Sequence, residues 1–304
     1  MLSDVDNRLV TPQSMARSLL TSSLALGAIA VFSSPAHAQI TPDATLGVEQ
    51  SIVGADQVIL GIPSNLIQGG ATRGGNLFHS FSEFNVDLGR GVYFDNPAGI
   101  TNILTRVTGA NPSNILGRLG VLGGANLFLL NPNGIVFGPA ASLDVQGSFV
   151  ASTSSAIPLG TTGLFSATDP ASSNLVDVQP NALFLNALGN ITNQATLQTE
   201  QDLTLIGNTV TNEGILQAGQ NLSLQANTIT STGQLLAPNG AVTATALTGN
   251  ATIQQVDAQS ATLSAAGNLA LAGSQLTTTG NLTLQAQNGV QISDAAATPF
   301  NAAV

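Results

Sequence analysis

The sequence predicts an all-β fold in the form of a parallel β-helix, and two observations carry that prediction. The C-terminal third repeats every 19 to 20 residues, in units at 202–220, 221–240, 241–260 and 261–280, with a partial unit from 281. Inside each unit apolar and polar residues alternate, as in Leu203-Thr204-Leu205 and Leu222-Ser223-Leu224, which is the period of a strand buried on one face. Leu203, Leu222, Val242 and Leu282 share the second position of the unit, and Leu205, Leu224, Ala244 and Leu284 the fourth. The unit at 261 is displaced by about one residue. Gly, Asn, Asp and Thr separate the short strands and favour turns. A unit of this size cannot bury its apolar face alone. Stacked on copies of itself it can, so each unit becomes one coil. If every residue after 38 coiled this way, about 13 turns would form a rod on the order of 60 Å long. A leucine-rich repeat has a similar period, but its LxxLxLxxN spacing is absent. An outer-membrane barrel needs strands of about 10 residues and aromatic girdles, which eleven Phe and one Tyr, mostly before residue 190, do not supply.

The N-terminal half reads as strands too, at 57–60, 91–94, 102–107, 126–130 and 135–137, with less regular repeats. Its aromatics (Phe78, Phe81, Phe84, Tyr93, Phe94, Phe128, Phe137 and Phe149) imply a wider first core with a cap. An open helix end exposes strand edges that must be covered. Residues 153–180, rich in Ser, Thr and Pro, read as an excursion outside the coil stack.

The first 38 residues read as a secretory signal peptide. Arg8 and Arg17 precede an apolar run from Leu19 to Phe32, which Ser33, Ser34 and Pro35 break. Ala36-His37-Ala38 is a small-x-small cleavage site, so the mature chain is expected to begin at Gln39. The run is shorter than the roughly 20 apolar residues of a membrane span. Its removal takes Asp4, Asp6, Arg8 and Arg17, so the net charge stays at −10. Lys is absent. An acidic chain with no basic cluster is a poor partner for nucleic acid or anionic lipid. Cys is absent as well, which removes disulfides and thiolate metal sites.

The motifs that could carry chemistry are few. Asn131-Pro132-Asn133-Gly134 has turn chemistry: Pro fixes φ, Asn bonds nearby backbone, and Gly tolerates positive φ. A tight corner between two coils accounts for these residues. The glycine-rich run 69–76 lacks the Lys-Ser/Thr ending of a phosphate loop and reads as a mobile corner. Arg73, Arg90, Arg106 and Arg118 are the only cations after residue 38, each expected to pair with an acid or a polar cap. His79, the only histidine there, reads as a residue at an apolar rim beside Phe78 and Phe81. No HxH, HExxH or GxSxG pattern supports a metal or nucleophile site. Asp87 with Asp95, or Asp169 with Asp177, show no spacing that argues for paired acid/base carboxylates, and Asp144 reads as a solvent-facing strand residue. No catalytic residue, metal or cofactor is expected.

Several blocks in one order resemble the N-terminal secretion domain of the filamentous haemagglutinin family. These are the exported (TpsA) partners of two-partner secretion systems, and the form here is similar to that common in cyanobacteria. The blocks are 69–86 (GGATRGGNLFHSFSEFNV), 91–97 (GVYFDNP), 100–109 (ITNILTRVTG), 111–119 (NPSNILGRL) and 126–153 (NLFLLNPNGIVFGPAASLDVQGSFVAST). The NPNGI stretch, Asn131, Pro132, Asn133, Gly134 and Ile135, matches the family's signature, whereas its second signature, NPNL, is absent. The resemblance implies a right-handed β-helix with an N-terminal cap and extra-helical β elements. It implies delivery by the Sec machinery and binding to an outer-membrane TpsB transporter through its POTRA domains. It further implies an adhesin-like protein at the cell surface or in the medium, with a host or surface glycan or protein as its target. The expected organisation is a signal peptide at 1–38, the secretion domain at 39–190, and β-helix repeats at 191–304. Family members are usually far longer, so a truncated product is a further expectation. A secreted polysaccharide-active enzyme on a β-helix is the alternative, and it would require a charged cluster on one strand face.

Overall fold

The computed structural model describes residues 40–180 and 185–293. The cleavage residues Ala36, Ala38 and Gln39 lie outside them. The described chain is a parallel β-helix of about nine turns. One inward column shows how the coils stack. Leu77 pairs with Ile103, Ile103 with Leu127, Leu127 with Phe149, and Phe149 with Leu203. Leu203 then pairs with Leu222, and Val242 with Ala261 and Ala261 with Leu282. The displacement of the unit at 261 is thus absorbed by register, with Ala261 filling the column where the sequence repeat suggests a neighbour. All of these except the terminal Leu282 are buried. They sit in one continuous core that runs from Ile67 to Leu271.

The turn count falls short of 13 because two stretches do other work. The first is the cap. Ile40–Pro42 pairs antiparallel with Asn76–Phe84, and Ala71–Arg73 forms a hairpin with the start of the same strand. On the next face, Ser51–Val53 and Gln57–Ile59 pair antiparallel with Ile62–Gly69, which lies parallel to Gly91–Asp95. These antiparallel strands close the edge that the first coil would otherwise expose. The glycine-rich run is therefore a pinned hairpin and not a mobile corner. Arg73 pairs with Glu49 at 2.8 Å, and Asp177 accepts the Gly75 N–H at 3.3 Å.

The second stretch is the excursion. Ser154–Leu159, Gly163–Ser166 and Leu185–Ala187 form a three-stranded antiparallel sheet, here called the apron, outside the coils. Ile157, Leu159 and Phe165 of the apron pack on Phe78, Leu104, Phe128 and Leu130, which project outward from the first three coils. The N-terminal aromatics are thus divided. Phe81, Phe84, Phe94, Phe137 and Phe149 fill the helix, whereas Phe78 and Phe128 build a second core on its outer face. The strands beneath the apron are buried on both faces: all six residues of Asn102–Val107 are buried. The repeat strands, by contrast, alternate buried and half-buried residues, as in Leu222–Ala246.

Candidate functional site

The NPNGI corner joins Asn126–Leu130 to Ile135–Phe137 in the third coil. Pro132 supplies a fixed φ, and the Gly134 N–H closes the turn on Asn131 O at 3.1 Å. Gly134 holds φ at +122°, which a side chain would resist. Asn131 is completely buried. Its Nδ2 donates to Asn111 O and Ser113 Oγ of the preceding coil, both at 3.0 Å. Its Oδ1 accepts the backbone N–H of Asn133 at 3.0 Å. Asn133 is exposed, yet its Nδ2 reaches Gly109 O at 2.6 Å. The backbone continues the linkage: Asn131 N–H bonds Ser152 O at 2.9 Å, and Ser113 N–H bonds Gly134 O at 3.0 Å. From the following coil Gly189 presses on the turn. A Cβ there would lie 2.6 Å from Gly134 N and Pro132 O. The five residues are therefore brought together as one corner that locks three successive coils. Pro132 and Asn133 also border a hollow of about 270 Å³ between Val107, Thr108, Gly109 and Ala110 and the apron residues Ala167 and Thr168.

Sequence reasoning passed over an asparagine ladder. Asn102 Nδ2 donates to Asn76 Oδ1, and Asn126 Nδ2 donates to Asn102 Oδ1, both at 2.9 Å. The ladder continues into the loop between the second and third apron strands, where Asn76 Nδ2 donates to Val178 O at 2.8 Å and Asn102 Nδ2 to Gln179 Oε1 at 3.0 Å. A signal was present: the three strands open Asn-Leu-Phe, Asn-Ile-Leu and Asn-Leu-Phe.

Arg106 is the second polar centre that sequence did not single out. Arg73, Arg90 and Arg118 follow expectation, with Glu49, Asp56 and Ser142 as partners. Arg106 is fully buried and touches no carboxylate directly. Its Nε donates to Ser80 Oγ at 2.8 Å, and its terminal nitrogens donate to Thr45 Oγ1 and Ser173 Oγ, each at 2.7 Å, and to Ser166 O at 2.6 Å. The guanidinium also lies over the Phe165 ring at 4.6 Å. Ser80 and Thr45 pass the charge on, because both hydroxyls donate to Asp43. Burial lowers the Arg106 pKa to about 10, against the pull of Asp43, so the group stays charged at neutral pH. Burial alone would raise the Asp43 pKa, but hydrogen bonds from Thr108, Thr45 and Ser80 outweigh it and hold the carboxylate below its ordinary value. One network thereby ties the N-terminal strand, two coils and the apron.

His79 and Asp144 need correction. His79 is not at a rim but fully buried, 5.3 Å from the Phe94 ring, with Nδ1 3.1 Å from Ser51 Oγ and Nε2 without a partner. Burial lowers its pKa to about 3, so it is neutral. Asp144 is half-buried and accepts the Tyr93 hydroxyl at 2.9 Å. Among the described residues, no three His, Cys, Asp or Glu side chains gather as a metal site would require.

The NPNGI corner thus locks successive coils, and the cap and apron cover the first half of the helix. Residues 38–298 match the family model described as the TPS secretion domain. The chain belongs to the TPS secretion domain family. Such a domain marks an exoprotein of the TpsA type, exported through the outer membrane by a TpsB partner. Among solved structures, the HMW1 secretion domain from Haemophilus influenzae is similar at 18% identity and a TM-score of 0.45, over 85% of this chain and 72% of that one. The filamentous hemagglutinin secretion domain is similar at 17% identity and a TM-score of 0.43, over 84% of this chain and 99% of that one. No curated protein sequence matches the chain.

Proposed function

We propose that this TPS secretion domain protein is a non-enzymatic exoprotein whose NPNGI corner makes the coils stack as the chain emerges. In this reading residues 1–38 pass the chain to the Sec machinery and are cleaved after Ala38. The POTRA modules of the TpsB transporter then engage the 39–190 region by strand addition while it is unfolded. The chain folds outside the outer membrane, where the 191–304 repeats extend the rod. The rod serves as an adhesin-like surface for a glycan or protein of another cell.

The observation that carries this reading is the burial of Asn131, with both amide atoms bonded inside the corner and to the preceding coil. A stack of coils gains stability chiefly from neighbour interfaces, so each new coil adds to the last. That gradient favours movement outward where no nucleotide is available. The test is export of the full chain with and without its transporter in the same cell. Transporter-dependent appearance in the medium, abolished by deleting residues 69–153, supports the proposal. Unchanged export of the deleted chain refutes it.

A further inference from the structure

The outer surface of the helix changes character along its axis. Over the first coils the face carrying Phe78, Leu104 and Phe128 is apolar and lies under the apron. Beyond the apron the same face is open and polar. Where the apron ends, a hollow of about 390 Å³ lies between residues 186–188 and the outward side chains Ile206, Gln225, Asn227 and Leu247. A second hollow of about 360 Å³ continues from Leu247 past Thr245, Ser264 and Gln285. Leu247 lines both, so the two hollows adjoin along one face, here called the trough.

Register fixes the direction of that trough. Ile206 pairs with Gln225, Thr245 with Ser264, and Ser264 with Gln285. The Leu247 N–H bond to Ala226 O, 2.7 Å, carries the alignment from Gln225 to Thr245. Five successive coils thus place one residue each along a line parallel to the helix axis. Four steps of roughly 4.8 Å give about 19 Å.

The lining selects a chemistry. Gln225, Asn227, Thr245, Ser264 and Gln285 offer amides and hydroxyls, which both donate and accept. Leu188 and Leu247, 55% and 49% exposed, form apolar shoulders. Residues 190–293 contain no Lys or Arg, and their four acids (Glu200, Asp202, Glu213 and Asp257) lie outside the trough. A polyanion would find no cation there, and a polycation would find no carboxylate. The complementary ligand is a neutral chain dense in hydroxyls, whose C–H faces can rest on the leucines. The step between coils is comparable with the length one sugar adds to an extended β-linked chain, so successive rings would meet successive amides or hydroxyls.

We propose that this trough binds a linear neutral polysaccharide laid along the helix axis. This rests on the adhesive part of the function proposed above and supplies its target class. The test uses the secreted protein in affinity gels containing neutral linear glycans (a β-glucan, a mannan, a galactan), with a sulfated polysaccharide as the charged counterpart. Retardation by a neutral glycan is expected, insensitive to salt. Apparent affinity should fall at least tenfold with Gln225→Ala/Gln285→Ala and hold with Gln217→Ala/Gln255→Ala on another face. Retardation by the sulfated chain alone, no retardation by any neutral glycan, or an equal loss in both variants would overturn the proposal. Adherence of the same proteins to cells, measured in parallel, separates the two readings. Adherence without retardation by any neutral glycan refutes the trough and leaves the adhesin. Glycan binding without any adherence refutes the adhesin and leaves the trough.

Discussion

Arg106 shows how much one side chain can commit in this molecule. Its guanidinium is removed from water and held by three hydroxyls, a carbonyl and an aromatic face. Asp43, the balancing carboxylate, is reached only through Ser80 and Thr45. Removing the guanidinium leaves the buried Ser166 carbonyl and Ser80 hydroxyl short of a partner, which costs about 1–3 kcal/mol. Arg106→Ala should therefore lower the unfolding free energy by about that amount in urea titration, and an unmoved midpoint would contradict the network. His79 makes a separate prediction. The folded chain keeps it neutral down to about pH 3, whereas the unfolded chain takes up a proton below about 6.5. Between those values the unfolded state binds more protons, so stability falls as pH drops through that window. Asp43 adds its own loss only below about 3.8, the value it leaves on folding. Urea midpoints should thus decline from pH 7 to pH 4.5 in the wild type. They should stay nearly flat in His79→Gln.

At the scale of elements, much of the helix was legible. The strands at 102–107, 126–130 and 135–137 are observed with those bounds. Leucine alternation in the repeats shows directly which side chains face inward. The apron was legible only as an excursion, because its strands are three to six residues long and are broken by Ser, Pro and Gly, which carry the composition of loops. Its docking face was hidden for a different reason. Runs such as Leu77-Phe78 and Leu127-Phe128-Leu129-Leu130 do not alternate, and a run without alternation marks a strand buried on both faces. The spacing of Asn76, Asn102 and Asn126 was equally readable, but a ladder exists only once the coils are in register. The NPNGI corner shows the same limit. Its turn chemistry could be read from four residues, whereas its grip on Asn111, Ser113 and Gly189 could not. Gly189 tests that grip at backbone level, since neither Gly134 N nor Pro132 O can move aside without shifting a coil. Gly189→Ala should destabilise by about 1–3 kcal/mol, seen as a lower thermal midpoint, and a neutral result would show that the corner and its neighbour are not in contact.

Across the whole molecule, cap, apron and corner all lie before residue 190, and the coils after it are nearly pure repetition. Specific polar contacts are concentrated where the first coils must form in one way only. Later coils can then add by copying a register already set. That asymmetry suits a chain that emerges progressively and folds as it appears, and it gives the family assignment a physical meaning. The decisive measurement is the amount of protein in the medium, with and without the cognate outer-membrane transporter, for the wild type and for Asn131→Ala/Asn133→Ala. We expect the wild type to appear only when the transporter is present, and the double substitution to reduce it severalfold. Equal amounts with and without the transporter would contradict export by a two-partner route.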